Sequence, residues 1–239
     1  MLSILKKEFN LFFASPVAYL IIGVYLMVNG LFLWILKSDF NIINAGFADL
    51  NSYFYLAPWL FLFLIPALSM KSFADEFASG TIEILKTQPL SNWQIVLGKY
   101  FACLLLILIA VLPTTSYIYT LSQLAEPLGD IDIGSITGSY LGLVFLALSY
   151  TSIGVFTSSL SNNQIVAFTS SVLISFILYT GVETLGDSVG NIGYFIKQIS
   201  IYTHYKNISR GIVDTRDICY FLSLSFFFLF ITKQQLDAK

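Results

Sequence analysis

Long apolar stretches separated by short polar connectors dominate the chain from Pro16 onward. A membrane-crossing helix takes about 20 apolar residues to cover roughly 30 Å of hydrocarbon. Six stretches reach or approach that length: 16–36, 53–70, 101–121, 136–160, 165–184 and 218–232. The last is the shortest and is dense in Phe and Leu, which predicts a helix that starts in the interface or crosses a thinned bilayer. Backbone in hydrocarbon must satisfy its own hydrogen bonds, so runs of this length predict helices, and they lack the alternation of a barrel strand. Lys6 and Lys7 precede the first stretch as they would a signal peptide. Its apolar run is too long for an h-region, however, and no small-residue cleavage pattern follows Leu36, so an uncleaved helix is predicted. Pro66 and Pro113 fall inside the second and third stretches, where they predict kinks.

The connectors carry patterns of their own. Residues 2–14 place Leu2, Leu5, Phe9 and Phe12 at helical spacing with Lys6, Lys7 and Asn10 between them. That is the pattern of an amphipathic helix in the headgroup plane, or of a plain extension of the first span. Residues 71–99 are polar enough to leave the membrane yet keep Phe73, Phe77, Ile82, Leu85, Trp93 and Val96 at helix-like intervals. Gly80 divides two short helical pieces, Thr81 is placed to cap the second, and Glu83 lies in its first turn. Pro89 ends that piece, and Ser91 is placed to cap the helix entering the third span. In the connector 185–217, Val189, Ile192, Phe195, Ile196 and Ile199 form an apolar stripe. After it, Arg210, Asp214, Arg216 and Asp217 predict a surface ion network, with a substrate site as the alternative.

Composition supports the membrane assignment independently. Only 11% of the 239 residues are charged and 56% are hydrophobic, whereas soluble domains carry about 25% charged residues. The net charge of −2 points to neither nucleic acid nor a strongly anionic surface. With the N-terminus inside, Lys6, Lys7, Lys71, Lys86, Lys99, Lys233 and Lys239 fall on the cytoplasmic side, and Lys37, Lys197, Lys206, Arg210 and Arg216 outside. This bias, together with the base-free connector 122–135, predicts both termini in the cytoplasm. Many of the 14 Tyr fall near span ends, as interfacial anchors do.

Catalytic chemistry finds no support. No G-x-x-x-x-G-K-[ST] occurs, so no P-loop can cradle a nucleotide, and there is no H-E-x-x-H, G-x-S-x-G or clustered carboxylate set. Cys103 and Cys219 stand in apolar runs as small packing residues, and His204 is the sole histidine, so no metal site is expected. The spans hold essentially no ionisable residue, with Glu183 at the outer end of the fifth. Ion-coupled carriers keep such groups near the midplane, so external drive is the better fit. Gly138, Gly142, Gly154, Ser158 and Ser159 in the fourth span, and Thr169, Ser170, Ser171 and Ser175 in the fifth, suit close helix packing. Ser170, Ser171 and Ser175 are also candidates for a polar pathway lining.

The 71–99 segment resembles the signature of ABC-2 type permeases: Glu76, Gly80-Thr81, Ile82, Glu83, Ile84-Leu85, Pro89, and Gly98-Lys99 at the next span. Phe77 and Ala78 stand where family members often carry Lys or Arg. The opening KKEFNLFFASPVAYLIIGVYLMVNGLF and the late HYKNISRGIVDTRDICYFLS are similar to the permease subunit of gliding-motility-associated ABC transporters and, more distantly, to permeases of copper-enzyme maturation.

The resemblance implies an all-α, six-helix transmembrane domain of type V exporter-like architecture spanning 1–239, in a bacterial inner membrane. It implies that the loop residues Asp75, Glu76, Gly80, Thr81, Glu83, Leu85 and Pro89 dock an ABC ATPase subunit, and that ATP is held by that partner. It further implies a second permease, identical or related, an accessory membrane subunit, and export linked to gliding. A permease for metal-enzyme maturation or for lipid or polysaccharide export, and a scaffold that docks an ATPase without moving a substrate, are the alternatives.

Overall fold

The structure is a computed structural model describing residues 1–44, 46, 48–189 and 192–238, with Lys86 described by its backbone alone. The placement of the Lys86 side chain and of Lys239, and residues 190 and 191 of the far connector, therefore lie outside the described residues. The chain is all helical, with 82% of residues in helices and no strand among those described.

A short helix, α1 (Leu2–Ala14), turns at Ser15 into α2 (Pro16–Gly30), where Pro16 occupies the first turn and its missing N–H costs nothing. A π-helical turn at Leu31–Ile35 completes the first span. Next come α3 (Asn51–Ser69), α4 (Lys71–Ser79), α5 (Thr81–Lys86) and α6 (Asn92–Val111). The chain continues through α7 (Ser116–Leu124), α8 (Ile133–Leu160) and α9 (Gln164–Phe176), then α10 (Val182–Ser188), α11 (Gly193–Lys197), α12 (Ile201–Ser209) and α13 (Thr215–Ala238). Six helical stretches are long and apolar enough to cross a membrane, at the six expected places.

The sixth span differs from expectation. Where the apolar run predicts a short helix over 218–232, α13 has 24 residues. Hydropathy cannot register its polar ends, yet both are anchored. Asp214 Oδ1 accepts from the Arg216 N–H at 2.9 Å at the start, and Thr232 and Leu236 are buried near the finish. The prolines also act unequally. Pro113 sits in a 3-10 turn, Leu112–Thr115, that separates α6 from α7, whereas α3 runs unbroken through Pro58 and Pro66. A helical proline leaves the carbonyl four residues earlier without its N–H. For Pro58 that carbonyl is Phe54, and the Tyr205 hydroxyl donates to it at 2.7 Å. Burial holds the Tyr205 phenol well above its ordinary pKa, so it remains a donor.

The longest helix, α8, forms the centre, packing on α3, α4, α6, α9, α12 and α13. Close approach explains its glycines. A Cβ on Gly138 would stand 2.6 Å from the Ile208 carbonyl oxygen, and one on Gly142 would stand 3.1 Å from the Tyr205 ring. Ser135 and Ser139 donate to the Ser209 carbonyl at 3.1 and 3.0 Å, which fixes α12 along this face. Gly138 and Gly142 therefore serve helix packing. Several tyrosines are internal rather than interfacial. Tyr25, Tyr53 and Thr114 form a hydroxyl chain with steps of 2.9 and 2.8 Å, and Tyr140 donates to the Thr114 carbonyl at 2.9 Å.

Candidate functional site

The segment between α3 and α6 is a helical hairpin, and its chain reversal is set by Gly80. The backbone there is left-handed, at φ 71°, a conformation glycine adopts without Cβ strain. Gly80 itself is the N-cap of α5; Thr81 is the first helical residue, and its hydroxyl pairs with that of Ser79 at 2.9 Å. Thr81 is thus not the cap that its position suggested. Glu83 lies in the first turn of α5, as expected near the positive end of the helix dipole. The start of α6 carries a capping box: the Ser91 hydroxyl accepts from the Gln94 N–H, and Gln94 Oε1 accepts from the Ser91 N–H, each at 3.3 Å. Thr81, Glu83, Pro89 and Ile84 are exposed, and Leu85 is half-buried.

The base of this hairpin is tied to four other elements. Lys99, on α6, is only 1% exposed. Its Nζ donates to Glu8 Oε1 of α1 at 2.9 Å and to Glu76 Oε1 of α4 at 2.8 Å. The same ammonium lies 5.2 Å from the centroid of the Phe73 ring. Lys7 adds looser contacts, 3.7 Å to Glu76 and 3.8 Å to Glu8, so two lysines face two glutamates and the charge is balanced. A lone buried ammonium would be expensive; paired on both sides, it holds three helices to one point.

The first turn of α4 is capped from outside. Ser158 Oγ of α8 accepts the N–H groups of Phe73 and Ala74 at 2.9 and 3.1 Å and donates to the Met70 carbonyl at 2.8 Å. Asp75 accepts from the Gln164 side chain at the start of α9. Phe77, at a position where family members often carry a base, stacks on Phe73 with centroids 6.3 Å apart.

Sequence reasoning missed Glu8 and Gln164, and read Ser158 as a packing residue rather than as the cap of α4. The inward face of α1 is Ile4, Glu8 and Phe12, with Leu2 exposed, rather than the stripe of Leu2, Leu5, Phe9 and Phe12. The overlooked signal was the i, i+4, i+8 spacing of a carboxylate between two apolar residues. Contact there is close: a Cβ on Gly98 would meet Ile4 Cγ2 at 2.8 Å.

The other candidate residues lie along α9. Ser171 and Ser175 are buried with no hydrogen-bond partner for their hydroxyls among the described residues. Ser170 is half-exposed, and its hydroxyl bonds back to the Val166 carbonyl at 2.7 Å. The three therefore do not share one face. Of the cysteines, Cys103 is buried against Ser72, while Cys219 is exposed rather than packed. The ion network expected in the later part of the 185–217 connector is also absent among the described residues. Arg210 and Arg216 make no ion pair, and Asp217 pairs instead with His204 at 2.5 Å, under the stacked ring of Tyr220.

Comparison with known proteins bears on the whole chain. No curated protein matched it. The family model of ABC-2 family transporter proteins matches residues 3–232. With that match and six membrane-spanning helices, the chain belongs to the ABC-2 family of transporter proteins, as a multi-pass membrane permease of an ABC transporter.

Proposed function

We propose that the hairpin of α4, Gly80 and α5 is the surface on which the ABC ATPase partner docks, with Asp75, Glu76, Gly80, Thr81, Glu83, Leu85 and Pro89 forming or shaping the contact. The observation that carries this reading is the contrast within the hairpin. Its tip is exposed, with Ile84 65% accessible although apolar, while its base is locked by Lys99, Ser158 and Gln164 to α1, α6, α8 and α9. A push on the tip would therefore reach the helices on both sides of the hairpin rather than dissipate in a loose connector. ATP is held by the partner; closure of a pair of ATPases would displace α4 and, through it, α3 and α6.

In this reading the permease works as a dimer, with a second copy or a related permease, and with an accessory membrane subunit. α1 lies in the interface, and both termini face the cytoplasm of a bacterium. The proposed work is export in a gliding-associated system, which rests on the resemblance of the opening segment and of HYKNISRGIVDTRD. Ser170, Ser171 and Ser175 remain the proposed lining residues, with Ser170 the one already half-exposed.

The test is co-purification of the permease with its candidate ATPase, comparing wild type with a Gly80→Pro, Glu83→Arg double variant. Loss of the ATPase while the variant still inserts and remains monodisperse is the expected result. Retention at the wild-type ratio would overturn the docking assignment.

A further inference from the structure

The bundle end opposite the hairpin holds a small aromatic enclosure. The direction of the chain places it there: α9 begins beside Asp75 at Gln164 and runs to Glu183 just beyond its π-helical turn, while α3 runs from Tyr55 and Trp59 toward the hairpin. A cavity of about 120 Å³ is lined by Tyr55, Trp59, Tyr179, Thr180, Glu183 and Tyr202. Trp59 and Tyr179 meet edge to face at 5.9 Å and 82°, and Tyr179 and Tyr202 at 5.5 Å and 83°. Successive perpendicular rings form adjoining walls rather than a stack. Tyr179 and Thr180 are carried by the π-helical turn Ile177–Gly181, a distortion found disproportionately at functional sites.

The cavity lining carries one charged side chain, Glu183. Glu183 Oε2 accepts from the Thr203 hydroxyl at 2.6 Å, and its other oxygen is a loose 3.9 Å from Lys197. Lys197 is engaged first by Asp187, whose hydrogen bond raises the lysine pKa. Lys197 and Lys206 match the two carboxylates in number, but neither lines this cavity. Among the described residues Glu183 is therefore the charged group that faces it, beside four electron-rich rings. That combination attracts a cation, most strongly one that is weakly hydrated. The Tyr202 ring already attracts one: Lys206 Nζ stands 5.6 Å from its centroid.

We propose that Tyr55, Trp59, Tyr179 and Tyr202, with Glu183, form a binding site for a small organic ammonium of the choline type. The adjoining cavity shares Tyr55, Tyr179 and Tyr202 and is also lined by Lys206. A second positive charge on the ligand would meet that lysine, so the site selects a monocation or a zwitterion over a polyamine. A free cation and a lipid headgroup present the same chemistry. The site stands independently of how the ATPase docks.

The experiment uses the full chain in a maltoside detergent with radiolabelled choline in a scintillation-proximity format. Wild type is expected to bind choline saturably, with displacement by tetramethylammonium but not by the uncharged isostere 3,3-dimethylbutanol or by spermidine. Glu183→Gln and Trp59→Leu, each checked for monodispersity, are expected to weaken binding at least tenfold, and Trp59→Phe less. In nanodiscs, competition by phosphatidylcholine but not phosphatidylglycerol assigns the site to a headgroup, and lack of competition by either assigns it to a soluble cation. Absence of saturable choline binding by wild type, equal displacement by the uncharged isostere, or unchanged affinity in both Glu183→Gln and Trp59→Leu would each overturn the proposal.

Discussion

The two ends of the bundle hold their helices together by different chemistry. At the hairpin end, the contacts are charged and converge on a single atom, Lys99 Nζ, which α1 and α4 approach from separate directions. At the far end the contacts that join the spans are mostly hydroxyls, carbonyls and ring edges. The ion pairs there, Lys197 with Asp187 and His204 with Asp217, are separate from one another, so each contact can be lost singly. Tyr205 meets Phe54, Ser135 and Ser139 meet Ser209, and Tyr53 meets Tyr25 and Thr114. A convergent buried charge resists stepwise loosening, because a carboxylate that leaves strips the sealed ammonium of one of its two bonds. Dispersed neutral bonds give gradually. If the ATPase docks on the hairpin as proposed, this difference suits a bundle that is pushed at one end and changes shape at the other.

The sharpest way to break the comparison is Lys99→Met, which leaves Glu8 and Glu76, both largely covered, with only the looser Lys7 contacts. Removing one partner of a buried pair costs about 3–5 kcal/mol, so a large fall in melting temperature in detergent is expected. Replacing all three together, as Glu8→Gln, Lys99→Met and Glu76→Gln, should recover most of that loss. A triple variant no more stable than Lys99→Met would show that the charges are not the tie.

A step smaller, Ser158→Ala removes the acceptor of two buried backbone N–H groups. Each stranded donor is worth about 1–3 kcal/mol, so thermal denaturation should show a clear loss, and hydrogen exchange at Phe73 and Ala74 should quicken. Smallest is Tyr205→Phe. Membrane-embedded hydrogen bonds average about 0.6 kcal/mol in double-mutant cycles, and a change of that order is expected. The informative measurement is the cycle with Pro58→Ala. An alanine N–H at position 58 satisfies the Phe54 carbonyl from within α3, so the hydroxyl of Tyr205 should then become nearly dispensable. An undiminished Tyr205→Phe effect in that background would place the tyrosine's role elsewhere.

Much of the fold was legible because hydrocarbon length imposes one strong periodicity, and the six spans follow from it. The charged tie was only half legible. Glu76 and Lys99 stood out as parts of the loop pattern, but Glu8 sits among lysines on a helix whose polar face seemed to be the outward one. Only three-dimensional convergence shows that its partner lies 91 residues away. The ends of α13 were hidden for a related reason: TRD and KQQLDA are helical by packing and capping, not by hydropathy. The tyrosines misled through composition, since the same phenol that anchors at an interface can satisfy a carbonyl that a proline has released.

The roof that α1 forms over Lys99 gives the protein a native chemical reporter. Amine-reactive reagents need a solvent-exposed, unprotonated lysine, and Lys99 is sealed and doubly bonded while Lys7, on the adjoining turn, is half-exposed. The ratio of acylation at these two lysines, read by peptide mass spectrometry, therefore measures how often the first helix lifts. Followed through an ATPase cycle, it would time that motion without any introduced label.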